Sequence, residues 1–65
     1  MDEYAIAILL GRVREKRVFE LETQGLSRDE AERLANEQIS ESIRAANVDI
    51  ESYKDVRRWA RTFRP

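Results

Sequence analysis

Sixty-five residues carrying 12 Lys or Arg against 13 Asp or Glu leave a net charge of −1, so overall charge singles out no class of partner. The chain has no Cys and no His, which excludes disulfides, thiolate metal sites and the commonest general base and zinc ligand. A chain this short buries only about 60% of the surface its unfolded form exposes, so it has to rely on regular helix packing or on oligomerisation.

Two Gly and one Pro, the Pro being the last residue, leave few helix breakers among many Ala, Glu, Arg and Leu. This composition predicts an all-α fold, a compact three-helix bundle forming one domain over residues 1–65. The apolar run YAIAILL spans seven residues and follows Asp2 and Glu3. It is too short to cross a bilayer, and a secretory signal would carry positive charge before it. A cytoplasmic protein without membrane contact is expected.

The first helix is predicted over residues 2–24. At about 100° per residue, Ile6, Leu9, Leu10, Val13 and Leu21 share one broad face, while Tyr4, Ile8 and Phe19 fall on another. A helix at the surface of a three-helix monomer needs one apolar face, so the second has to be covered by something. A second copy of the chain is the simplest cover. A homodimer is therefore expected, with Tyr4, Ile8 and Phe19 among the partner-binding residues.

The same segment also alternates as a strand would, with Tyr4, Ile6, Ile8 and Leu10 on one side. A short strand followed by two helices, the second opening with GLSRDE, resembles the ribbon–helix–helix repressors. That resemblance implies a strand that reads bases through one face. Here that face would carry Ala5, Ala7 and Leu9, which have no groups to read bases with, and the helix is the preferred expectation.

TQGLSRDEAERLA holds the clearest punctuation. Gly25 suits the left-handed residue at a helix C-terminus, Leu26 can cover that end, and Ser27 with Glu30 three residues on forms a capping box. One helix stops and another starts within a few residues, which predicts an antiparallel helical hairpin. The second helix, over residues 28–46, carries a narrow stripe of Ala31, Leu34, Ala35, Ile39, Ile43 and Ala46, with Gln38 and Ser42 between them. Its acids read as a solvated face. Glu30, Glu37 and Glu41 are the nearest approach to a metal-binding set, but no His accompanies them.

AANVDIES breaks the pattern: Asn47 can end the second helix, and either Asp49 or Ser52 can cap a third. The third helix is predicted over residues 50–63, with Ile50, Tyr53, Val56, Ala60 and Phe63 inward. Trp59 falls at the far side of that stripe, suited to closing a core or an interface. VRRWAR resembles the recognition helix of excisionase-like and MerR-like helix-turn-helix proteins. The turn residue would be Val48, eight positions before Val56, a longer interval than that motif has, so no DNA-reading role is carried over.

Catalysis needs a nucleophile beside a base, paired carboxylates in a pocket, or a metal. Nothing here supplies them, so an enzyme is not expected, nor any catalytic residue, cofactor, metal site or small-molecule substrate. The tail is the informative part. Residues 52–65 hold Lys54, Arg57, Arg58, Arg61 and Arg64 against Asp55 alone, a local charge of +4, whereas residues 26–51 hold seven acids against three bases, a local charge of −4. The basic face has three possible destinations: the acidic helix of its own bundle, a protein partner, or nucleic acid. Pairing within the bundle or dimer is the first expectation. The leading functional expectation is a small protein-binding module, an adaptor or inhibitor covering a surface of a larger partner. Its contacts would be Tyr4, Ile8, Phe19, Tyr53, Arg57, Arg58, Trp59, Arg61 and Arg64. The alternative is a homodimeric DNA-binding regulator using Lys54, Arg57, Arg58, Arg61 and Arg64 on phosphates.

Overall fold

The computed structural model describes residues 3–65, and all regular structure in it is helical: α1 (Glu3–Thr23), α2 (Arg28–Ala46) and α3 (Tyr53–Thr62). Residues 4–10 lie within α1, so the strand of a ribbon–helix–helix protein is not there. The expected start of the first helix at Asp2 lies outside the described residues. None of the described helices is long and apolar enough to cross a membrane.

The hairpin forms for the reasons its sequence suggests. Gly25 takes a φ of 104°, and the turn closes with Gly25 N–H donating to the Glu22 carbonyl at 3.0 Å and Leu26 N–H to the Leu21 carbonyl at 3.3 Å. Both bonds satisfy carbonyls that the helix end leaves open. The Ser27 hydroxyl accepts from Glu30 N–H at 3.3 Å. The reciprocal arm of the expected capping box is absent, because the Glu30 carboxylate accepts from Arg33 instead, at 3.1 Å. Asn47 ends α2 in the same manner as Gly25 ends α1, at φ 56°, with Asn47 N–H bonding the Arg44 carbonyl and Val48 N–H the Ile43 carbonyl.

A Cβ at position 25 would meet no atom within 4 Å. The cost of Gly25→Ala is therefore backbone strain alone, about 1–2 kcal/mol. A urea titration should show that loss without a change in the slope of the transition.

The buried side chains form two groups. Beneath the turn, Val18 and Leu21 of α1 meet Ala31 and Ala35 of α2, flanked by Leu26 and Leu34. The two alanines let the helix backbones approach closely. Further along, Ile39, Val56 and Trp59 collect Ile6, Leu9, Leu10, Val13, Ile43, Ile50, Ala60 and Phe63 around them. α3 closes this second group and packs mainly along α1, while α1 sets the longest dimension of the molecule, 36 Å.

Of the two possible starts for the third helix, the later one forms. The Asp55 carboxylate accepts from Glu51 N–H at 3.0 Å and Ser52 N–H at 3.1 Å, which ties the entry of the chain to the first turn. Ile50 lies before the helix and still packs on the second group.

Candidate functional site

The rotation of α3 decides which side chains reach solvent. Val56 and Trp59 are buried and Phe63 half-buried on the inward side. Lys54, Arg57, Arg58 and Arg61 fall within about 100° of arc on the opposite side, spread over about 10 Å of helix. All four are exposed, and together they line one shallow depression of about 260 Å³.

Their own bundle does not use them. Among the described residues, the one ion pair made by these four is Arg58 to Asp55 at 3.9 Å, within α3 itself. Within the protomer, the expected pairing of an acidic α2 with a basic α3 does not form. Six acids of the first two helices, Glu15, Glu20, Glu22, Glu30, Glu32 and Glu37, are matched within the hairpin instead. Arg28 reaches Glu15, Glu22 and Glu32 at 3.0–3.3 Å, and Arg33 reaches Glu30 and Glu37 at 3.1 and 2.8 Å. Both guanidiniums are held above their ordinary value, Arg28 chiefly by its hydrogen bond to Glu15 and Arg33 chiefly by that to Glu30. The physical reason is geometric: α3 docks its apolar side on α1, so its cations point away from the bundle. Each exposed pair around Arg28 and Arg33 adds little to stability, because water screens it.

The remaining predicted residues divide. Arg64 leaves the arc because the helix ends at Thr62; it lines a groove with Lys16, Arg17 and Phe63, and donates to the Phe63 carbonyl at 3.1 Å. Tyr53 is 37% exposed at the border of the basic arc. Trp59 is 2% exposed, its ring centroid 5.0 Å from that of Phe63, and its Nε1–H donates to the Ser42 hydroxyl at 2.9 Å. It belongs to the core, where its indole both fills volume and finds a polar partner, and it is corrected here from a partner contact to a structural residue.

On α1, Tyr4, Ile8 and Phe19 are 78%, 40% and 67% exposed, so no other helix of the protomer covers them. They do not form one continuous patch. Phe19 lies about 16 Å along the helix from Ile8, and the exposed side chains of Arg12 and Glu15 lie between them on that side.

Two residues escaped the sequence reading. Val18 is fully buried although it falls at the seam between the two apolar faces of α1. Arg17 is only 14% exposed, its Nε donating to Gln38 Oε1 at 2.7 Å and its Nη1 paired to Glu20 at 3.2 Å. The available signal was Gln38, a polar residue on the inward stripe of α2 that needed a partner there.

The hydrogen bonds that the Asp55 carboxylate accepts, from Glu51 N–H first and from Ser52 N–H, hold it below its ordinary value. A carboxylate depressed in the folded state contributes stability above its unfolded value, and that contribution disappears as pH falls through the lower folded value. Acidification below the ordinary carboxylate range should therefore loosen the start of α3. Amide signals of residues 51–55 should shift in an NMR titration only below the ordinary carboxylate range, and Asp55→Asn should remove that late step.

The chain matches no protein-family model, and no curated protein or solved structure is similar to it.

Proposed function

We propose that this chain is a small non-enzymatic binding module that covers an acidic surface of a larger protein, docking through the outward face of α3. The observation that carries the reading is the set Lys54, Arg57, Arg58 and Arg61, exposed together, while Arg28 and Arg33 engage five of the hairpin's carboxylates. Arginine forks suit carboxylate recognition, and Arg and Tyr are enriched where interfaces hold most of their affinity. Tyr53 at the edge of the arc adds an aromatic contact. An adaptor or inhibitor acts in this way, by occupying a partner's surface.

Duplex DNA is the second reading, favoured by the density of cations on about two turns of one helix. Against it stands the net charge of −1, which gives little long-range attraction to a polyanion. At physiological salt, however, charges further apart than about 8 Å are largely screened, and among the described residues these four cations pair with no acid of α2. The face of α3 would then act on its own.

The two readings separate in one titration. Binding to a Glu-rich peptide and to random-sequence duplex DNA is measured between about 50 and 300 mM salt. Preference for the peptide supports the protein partner. Micromolar DNA binding with a steep salt dependence moves the regulator ahead. Failure to bind either at low salt removes α3 as a docking surface.

The homodimer through α1 stays a proposal on a narrower footing, since only Tyr4 and Ile8 adjoin on that side. Should the dimer form there, Ile8→Glu would sediment as a folded monomer; a wild-type protein that already sediments as one removes the idea.

A further inference from the structure

Beside the basic face lies a groove of a different kind, about 300 Å³, between the middle of α1 and the chain after α3. Val13, Ala60 and Phe63 form a half-buried apolar strip in its wall, beside the half-buried Arg17 and Glu20. Lys16 and Arg64 are exposed at its edge. Neither pairs with a carboxylate among the described residues; Arg64 donates only to a backbone carbonyl. The one acid in the lining, Glu20, is already engaged by Arg17 at 3.2 Å. An apolar slot rimmed by spare cations fits an apolar side chain flanked by acids, and it is at the small end of the range for binding pockets. Ala60 and Arg61 are neighbours in the chain, so the slot adjoins the basic face.

Resting on the reading of α3 as the docking surface, we infer that the partner presents an acidic segment with one apolar anchor residue. The anchor enters the groove between Val13, Ala60 and Phe63. Flanking carboxylates meet Lys16 and Arg64 on one side and Arg57 and Arg61 on the other. Charge alone would accept any acidic chain; the groove adds a requirement for shape and apolarity, which is how a basic surface selects among acidic partners.

The test uses the full chain and two short Glu-rich peptides that differ only in a central Leu or Ser. Trp59, whose ring lies 5.0 Å from that of Phe63, reports on the groove by its emission. The Leu peptide should bind at least about tenfold more tightly, the effect of burying one such side chain, and it alone should shift the Trp59 emission. Ala60→Phe, which fills the slot, should abolish the difference between the two peptides. If that variant does not fold, Lys16→Glu at the exposed rim serves instead and should weaken the Leu peptide about tenfold. Equal affinity for the two peptides would overturn the anchor groove while leaving α3 as a docking face. Binding of neither at low salt would overturn both, and preference for random duplex DNA over both peptides would overturn the acidic-segment assignment.

Discussion

Trp59→Ala should leave the protein largely unfolded at room temperature. The indole is 2% exposed at the centre of the group that joins α3 to the hairpin. Truncating a buried aromatic to Ala costs about 3–5 kcal/mol, and a single small core of this size supplies no more than about 3–5 kcal/mol in total. The loss also strands the Ser42 hydroxyl, which now accepts from the indole at 2.9 Å. Trp59→Phe isolates that second contribution: it keeps most of the ring and drops the hydrogen bond, about 1 kcal/mol. It should stay folded with a lower urea midpoint. The ellipticity of the three proteins across a urea series checks the order. A Trp59→Ala protein as stable as the wild type would place the indole outside the core.

Arg57→Glu combined with Arg61→Glu should lower affinity for an acidic partner more than about a hundredfold, because each reversal replaces attraction by like-charge repulsion. The fold should survive it. Neither residue makes an ion pair among the described residues, and both are exposed. The foreseeable structural cost is the interaction of Arg61 with the C-terminal end of α3, about 0.3–1 kcal/mol. Arg57→Ala with Arg61→Ala should fall between wild type and reversal in affinity. Isothermal titration of the three against the Glu-rich peptide gives the comparison. A change of less than about threefold in the reversed protein would mean that α3 is not where the acids land.

The helical hairpin was legible because its signals are local. Gly25 and Ser27 act on backbone groups within a few residues of themselves, and no other part of the chain can alter what they satisfy. The inward stripe of α2 was legible for a similar reason, since periodicity reports a face without naming its neighbour. The start of α3 was ambiguous because Asp49 and Ser52 are both competent caps, and the choice fell to a third residue, Asp55, whose carboxylate serves Glu51 and Ser52 together.

The charge partners were not legible. Local charges of +4 and −4 in adjacent segments suggested mutual neutralisation, but which helix α3 lies against depends on tertiary packing. Trp59 and Val56 pull the apolar side of α3 onto α1 and Ile39, and the cations are carried outward with the opposite side. Arg28, one residue past the cap of α2, reaches carboxylates on both helices of the hairpin. That reach across the turn, with Arg33 along α2, engages hairpin carboxylates that the sequence had offered to α3. The anchor groove was hidden for a related reason: Val13 and Ala60 read as core residues in the sequence, and their partial exposure follows from α3 ending at Thr62.

The most direct test of α3 as the docking face is a map of amide shift changes on adding the Glu-rich peptide to labelled protein at low salt. The predicted map follows Lys54, Arg57, Arg58 and Arg61, extends to Lys16 and Arg64, and leaves the outer side of α2 unchanged. Shifts gathered instead around Tyr4, Ile8 and Phe19, or along Asp29 and Glu41, would contradict it.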